Sequence, residues 1–170
     1  DMLQNSSKLD KVTFQGCCWN EPMSFASVAA ALATNATIRT IIFERCHFGE
    51  AEALLEAISR TGRRELVLRD IHSGCRRSTL RCLVTACPGL RSLGLEDFHY
   101  DNQETEQEHL RTVLRGMKCK SSAVQAVRLP RLNEKSSRVL VKSLPYYRNL
   151  REIECRALAS VVTESDLEGA

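Results

Sequence analysis

Long apolar runs, aromatic residues and familiar catalytic motifs are scarce or missing in this sequence of 170 residues. No run approaches the roughly 20 apolar residues that a membrane-spanning helix needs, and the opening DMLQNSSKLD has no apolar signal core. We therefore expect a cytoplasmic protein, with the nucleus as an alternative location and no membrane contact. Hydrophobic residues at 43% and charged residues at 26% are typical of a folded soluble domain.

Metal-ligand spacing is also missing, although the sequence has eight cysteines. The nearest approach to a ligand cluster consists of His72, Cys75, Cys82 and Cys87. It follows no usual zinc pattern, and a chain of this length needs no disulfide staples. Cys17 and Cys18 are adjacent, so in an extended segment their side chains point to opposite faces and do not form a redox pair. We predict reduced thiols, no metal and no cofactor.

A repeated apolar pattern is the informative feature that is present. Six segments have apolar residues at the first, fourth, sixth and ninth places, close to LxxLxLxxC, and only Arg63 breaks the rule. In chain order the quartets are Leu9, Val12, Phe14, Cys17; Ile38, Ile41, Phe43, Cys46; Arg63, Leu66, Leu68, Ile71; Leu90, Leu93, Leu95, Phe98; Val124, Val127, Leu129, Leu132; and Leu150, Ile153, Cys155, Leu158. The first places lie 29, 25, 27, 34 and 26 residues apart. This spacing is at or near the leucine-rich-repeat period.

Each segment predicts a short strand followed by a helix. The fourth and sixth residues of a strand point inward, and the third, fifth and seventh point outward. Between the strands, apolar residues recur with helical spacing within residues 25–32, 51–58, 80–87, 110–117 and 139–144. Repeating this unit predicts an α/β fold, a right-handed leucine-rich-repeat solenoid with a parallel concave sheet and helices on the convex side. We predict one domain over residues 1–170, with about six units starting near 9, 38, 63, 90, 124 and 150.

Local signals support the boundaries of these units. Asn20 with Pro22 indicates the start of a helix, and Pro145 indicates the end of another. The acidic segment DNQETEQE, Asp101–Glu108, makes the fourth unit the longest. We expect a solvated loop followed by a first helical turn, whose carboxylates lie at the favourable end of the helix dipole. A loop that docks a partner is the alternative.

The long strand-helix units resemble the ribonuclease-inhibitor type of leucine-rich repeat over Leu9–Leu158. The resemblance implies an architecture and no particular partner. At the ninth place, the usual Asn or Cys is present only as Cys17 and Cys46. The segment CPGLRSLGL, which begins at Cys87, is similar to the CPxLxxLxL turn of F-box-associated cysteine-containing repeats. The size and the helix-rich units are also similar to the repeat domain of tropomodulin.

The outward strand positions are where a binding surface is expected, and arginine recurs in them. The candidate partner-binding residues are Arg39, Arg64, Arg69, Arg91, Arg128, Arg151 and Arg156. Basic residues outnumber acidic ones by seven to four over residues 63–99 and by eight to three over residues 123–160. We expect Arg128, Arg151 and Arg156 to contact a partner together, around an apolar centre at Ile42 and Val67. A solvated face with local ion pairs is the alternative interpretation.

Catalysis is not predicted. The sequence contains no GxSxG, P-loop or HExxH motif. The four histidines do not gather on the outward strand positions. Three of them, His47, His72 and His99, share nearly the same place in successive units, which a common structural role explains, and His109 lies on a predicted helix face.

We predict a protein-protein interaction scaffold whose arginines fit an acidic segment of the partner. One alternative is the substrate-recognition arm of a ubiquitin ligase, which requires an adaptor-binding module outside this sequence. Another is a nucleic-acid or phospho-ligand site on the arginines of the later units. The net charge of only +3, the 5% aromatic residues and the position of Tyr146 and Tyr147 at a helix-strand turn argue against nucleic acid. Because Leu158 is followed by too few residues for another unit, we expect further domains of a longer chain, or partner chains, to cover the solenoid ends.

Overall fold

The computed structural model of the chain describes residues 7–19, 22–48, 58, 64–71, 80–81, 89–97, 103–118 and 122–155. Expectations about other positions lie outside the described residues. They concern Asn20, Arg63, His72, Cys75, Cys82, Cys87, Phe98, His99, Arg156 and Leu158, and most of the helical stretches over residues 51–58 and 80–87.

In the described part of the chain, eight strands form two parallel sheets. The strands are β1 (Lys11–Gln15), β2 (Cys18–Trp19), β3 (Thr40–Glu44), β4 (His47–Phe48), β5 (Glu65–Arg69), β6 (Ser92–Glu96), β7 (Ala126–Leu129) and β8 (Glu152–Cys155). The larger sheet has six strands in the order β1-β3-β5-β6-β7-β8, and all of its neighbouring pairs are parallel. The predicted α/β class is confirmed, and the six predicted strands are the six strands of this sheet.

The strands pair in the register that the aligned sequence segments predict. Val12 pairs with Ile41, Ile41 with Leu66, and the row of fourth-place residues continues through Leu93, Val127 and Ile153. Because side chains alternate between the two faces of a strand, the sixth-place residues share a face with the fourth-place residues. That face forms the core: Ile41, Leu66 and Leu93 are fully buried, and the fourth-place residues of the edge strands β1 and β8 are partly buried.

The helices cover this core face of the sheet. Within the described residues, the helices with defined bounds are α1 (Pro22–Thr34), α2 (Gln103–Met117) and α3 (Glu134–Ser143), with a 3-10 turn over Leu144–Tyr146 after α3. Leu32 of α1, Val113 of α2 and Leu140 of α3 belong to the same hydrophobic cluster as the fourth- and sixth-place strand residues. The predicted helical periodicity is therefore confirmed in these three segments. The Asn133 side chain caps α3 by accepting a hydrogen bond from the Ser136 backbone N–H at 2.9 Å.

A left-handed residue ends four successive strands at the same place of the repeat. The eighth-place residues Gly16, Arg45, Asp70 and Asp97 have φ values of 65°, 52°, 52° and 50°. The backbone N–H groups of Gly16, Arg45 and Asp70 each donate to a carbonyl at the end of the next strand, at 2.9–3.1 Å. The left-handed conformation is easy for glycine and tolerated by Asp, but it is unusual for arginine. The apolar pattern contains no signal for it.

Two features differ from the sequence expectations. The smaller sheet, in which Cys18 pairs with His47 and Trp19 with Phe48, was not predicted, because two-residue strands leave no periodicity to detect. The acidic segment is mostly helix, since α2 already begins at Gln103. Glu106 is buried, and its Oε1 accepts the Asn133 backbone N–H at 3.0 Å, which links α2 to the start of α3. The expected helical turn is confirmed, with the helix already begun at Gln103, and the expected loop before it falls on residues outside the described ones.

Candidate partner-binding surface

Charged side chains on the face of the sheet opposite the core form a connected set of ion pairs. We call this set the ion-pair lattice; its members are Glu44, Glu65, Arg69, Glu96 and Arg128. Arg69 Nη2 lies 2.7 Å from Glu96 Oε2, and its Nη1 lies 3.8 Å from Glu44 Oε2. Arg128 Nη2 donates to Glu65 Oε1 at 2.5 Å, and its Nε lies 3.4 Å from Glu96 Oε1. The lattice joins four neighbouring strands, β3, β5, β6 and β7.

Gly94 leaves space for the contact between Arg128 and Glu65, which spans two strands. Arg128 on β7 pairs in register with Gly94 on β6, so its side chain crosses β6 to reach Glu65 on β5. A Cβ atom on Gly94 would lie 3.1 Å from Val67 Cγ1 and 3.4 Å from Glu96 Oε1. The surface at this point has no room for a larger residue. The small size of Gly94 therefore supports the lattice, although Gly94 is not one of its charged members.

The lattice places two of the candidate arginines in intramolecular contacts. The pKa of Arg69 is raised, first by its hydrogen bond to Glu96 and then by the charge of the same carboxylate. Arg128 has two carboxylate neighbours, Glu65 and Glu96. The alternative interpretation, local ion pairs on a solvated face, thus describes both residues. Ile42 and Val67, the expected apolar centre of a partner contact, are 7% and 3% exposed, so neither is accessible to a partner.

A second set of arginines forms a row where the strands begin. We call it the arginine row: Arg39, Arg64, Arg91 and Arg151, the second-place residues of their units. The Arg64 backbone N–H donates to the Arg39 carbonyl at 3.0 Å, and that of Arg91 to the Arg64 carbonyl at 2.8 Å. Gln125 continues the chain of hydrogen bonds from Arg91 to Arg151, each at 2.8 Å. Arg39, Arg64 and Arg91 are therefore about one strand spacing, 4.8 Å, from one another along the row, and Arg151 lies two strand spacings from Arg91 because Gln125 stands between them.

The row is exposed and largely without carboxylate partners. Arg39 Nε lies 3.6 Å from Asp10 Oδ1, but the two side chains are 57% and 69% exposed, so this pair is weak. Arg64, Arg91 and Arg151 are exposed and make no ion pair with another residue that the structure describes. Like charges held at this spacing repel one another. An anion placed along the row relieves that repulsion.

A cavity of about 390 Å³ lies next to the end of the row. Its walls include Met117, Lys118, Val124, Tyr146, Arg148 and Leu150. Tyr146 is 66% exposed, and Lys118 Nζ lies 4.3 Å from the centroid of its ring, a cation-π contact. Tyr147 also lines the cavity; burial raises the pKa of its phenol. The two tyrosines occupy the predicted turn, but the sequence interpretation missed that the turn closes a cavity.

The structure separates the candidate arginines into two groups. Arg39, Arg64, Arg91 and Arg151 lie on the row, while Arg69 and Arg128 lie in the lattice; Arg156 is outside the described residues. The expected joint contact of Arg128 and Arg151 combines one residue of each group. A sequence signal for the lattice existed: the seventh places of β3, β5 and β6 alternate in charge as Glu44, Arg69 and Glu96.

The thiols among the described residues are free: Cys17, Cys18, Cys46 and Cys155. Burial raises the pKa of Cys46 to about 11, and its Sγ donates to the Phe14 carbonyl at 3.3 Å. Within the described part of the chain, no three His, Cys, Asp or Glu side chains lie together as a metal site would require.

The chain matches no protein-family model and no curated protein. None of the described helices combines the length and the apolar character needed to cross a bilayer. The surface must therefore be interpreted from its own geometry and charge.

Proposed function

We propose that the chain is a leucine-rich-repeat solenoid that acts as a protein-protein interaction scaffold. Three observations support the solenoid: six parallel strands in repeat register, helices packed on one face, and a left-handed residue at the eighth place of four successive units. Repeats that stack in this way expose one side chain per unit at equivalent positions. A row of equivalent side chains is a surface suited to an extended ligand.

The arginine row is the observation that carries the proposal. Its members are exposed and, among the described residues, have no strong ion pair, whereas the lattice arginines are already neutralised. Arginine forms short, charge-assisted hydrogen bonds with carboxylates. We therefore assign the row to an acidic segment of a partner protein. The proposal includes no catalytic step, and it includes a cytoplasmic or nuclear location, where free thiols such as Cys46 stay reduced.

Protein is favoured over nucleic acid by the surroundings of the row. The adjacent sheet face carries the carboxylates Glu44, Glu65 and Glu96, which repel a phosphate backbone. Among the described residues, Tyr146 is the exposed large hydrophobic side chain, so successive bases lack a series of stacking partners. A protein segment needs neither a uniformly basic surface nor such a series.

The test compares charge reversal on the row with an equal reversal elsewhere. The double variant R64E/R91E changes the row, and K135E/K142E makes the same change in charge on exposed positions of α3. Proteins captured from nuclease-treated cell extract are purified, and their binding to each variant is measured by calorimetry. We expect R64E/R91E to lose the interaction and K135E/K142E to retain it. Equal binding by both variants would show that the arginine row does not bind the partner, which contradicts the proposed function.

A further inference from the structure

The arginine row and the cavity form one continuous surface. Val124 and Leu150 line the cavity, and the next residues along the chain, Gln125 and Arg151, are the last two positions of the row's hydrogen-bonded series. A ligand that follows the row toward β8 therefore reaches the cavity without leaving the amino-terminal edge of the sheet. Neither feature alone specifies a ligand, but their adjacency does.

The walls of the cavity are chemically different from the row. Met117 and Leu150 are partly buried and present apolar surface, Val124 is buried, and Tyr146 adds an exposed ring. The cations Lys118 and Arg148 are also exposed at the same site. Apolar walls accept a large side chain, and flanking cations favour neighbouring carboxylates over neighbouring cations. Together they fit an apolar anchor within an acidic stretch.

We infer that the cavity binds an aromatic or large aliphatic anchor side chain of the same acidic partner segment that crosses the arginine row. This inference rests on the proposed function, because the row must first take an acidic segment. Hot spots of protein interfaces are commonly aromatic side chains seated in a pocket and surrounded by weaker polar contacts. The cavity supplies the pocket, and the row supplies the polar contacts.

The geometry sets the spacing within the segment. Two strand spacings, about 10 Å, separate Arg91 from Arg151, and an extended peptide covers that distance in about three residues. The carboxylate that faces Arg91 therefore lies within about three residues of the anchor, and the one that faces Arg64 lies one or two residues further away. The motif is a cluster of acidic residues with one large apolar residue about three residues from the nearest carboxylate, in either chain direction.

Synthetic peptides test this motif by fluorescence anisotropy. The first probe has four acidic residues, two serines and one Trp; in the second Ala replaces Trp, and in the third Gln replaces the acidic residues. We expect the first probe to bind about tenfold more tightly than either of the others. For the comparison with the Ala probe, this difference corresponds to the loss of one buried aromatic anchor. A single-stranded oligonucleotide of equal charge is the fourth probe. Its tighter binding would overturn both the inference and the proposed function.

Two variants assign the anchor to the cavity. Y146A removes the exposed ring and should reduce binding of the Trp probe to the level of the Ala probe, leaving binding of the Ala probe unchanged. K142A, on an exposed position of α3, is the control and should change neither. Circular dichroism confirms that both variants are folded, which is expected because Tyr146 is 66% exposed.

The remaining outcomes separate the two proposals. If the Trp and Ala probes bind equally and both still depend on Arg64 and Arg91, the row binds acidic segments and the cavity inference is wrong. If the Gln probe binds as tightly as the acidic one, the arginine row is not involved in binding. The proposed function is then wrong about its binding surface. If no acidic peptide binds, the inference fails along with the assignment of the row.

Discussion

Gly94 lies on the sheet face opposite the core, between Val67 on β5 and Arg128 on β7. Its missing side chain leaves room for the Val67 side chain on one neighbouring strand and for the path of Arg128 from the other. A glycine inside a predicted strand indicates that another group approaches the backbone closely at that position. The identity of the approaching groups required the cross-strand register, because Arg128 and Glu65 are 63 residues apart in the sequence.

The substitution G94V tests this steric role. The added side chain meets Val67 and blocks the path of Arg128, so we expect a loss of about 1–3 kcal/mol in the free energy of unfolding, measured with denaturant. The double variant V67A/G94V supplies the matched comparison. In the V67A background the cost of G94V should be smaller, because the clash with the Cγ atoms is gone. Equal costs in the two backgrounds would show that Val67 does not set the limit.

The Cys46 thiol gives a prediction about pH. Its pKa is raised from 9.0 to about 11 by burial, and the thiolate is the reactive form. Because the folded state keeps this proton more tightly than the unfolded state, the thiol's contribution to stability is present below pH 9 and is lost as the pH rises toward 11. In alkylation at pH 8 followed by peptide mass spectrometry, the exposed Cys18 should react first. Equal rates at both cysteines would contradict the burial of Cys46.

At the scale of elements, the six-strand sheet could be predicted because its pattern repeats. Fourth- and sixth-place residues share one face of each strand, so aligning the segments also aligned the pairing partners. The left-handed eighth place was missed because only apolar positions were aligned; Gly16, Asp70 and Asp97 are residue types that tolerate this conformation, whereas Arg45 carries no such signal. The start of α2 was missed because polar residues at the beginning of a helix look like a loop when only apolar spacing is counted.

Equivalent positions in different strands should contribute differently to the free energy of unfolding. Val127 on β7 is 2% exposed, whereas Val12, at the same place of β1, is only partly buried because β1 is an edge strand. We expect V127A to cost roughly 1.5–3 kcal/mol and V12A less than about 1 kcal/mol in denaturant unfolding. The exposed, outward-facing Thr13 provides the control, and T13A should change little. A larger cost for V12A than for V127A would contradict the placement of the core.

At the scale of the whole molecule, three parts of one sheet carry different sets of side chains. One face holds the core, the other holds the ion-pair lattice, and the edge where the strands begin holds the arginine row. The candidate arginines were predictable as a set from the outward columns. Their division into paired and unpaired groups was not, because it depends on which carboxylates the neighbouring strands bring within reach. The cavity was missed because residues from α2, the turn after α3 and the start of two strands form it together.

The division also separates binding from stability. Removing Arg91 breaks no ion pair with a residue that the structure describes and relieves like-charge repulsion, so R91Q should leave the melting temperature unchanged or raise it slightly. Removing Arg128 takes away the cation beside Glu65 and the weaker of the two cation contacts of Glu96, which keeps Arg69, so R128Q should lower the melting temperature. The row can therefore be altered in binding experiments without loss of the fold.

The central claim, that the arginine row takes an acidic segment, is tested most directly by nuclear magnetic resonance. The acidic Trp peptide is titrated into the isotope-labelled chain, and the amide signals that shift are mapped onto the residues. We predict that the largest shifts fall on Arg39, Arg64, Arg91 and Arg151 and on Tyr146, and that R64E/R91E abolishes them. Shifts confined to α1, α2 and α3, or shifts that persist in R64E/R91E, would contradict the claim.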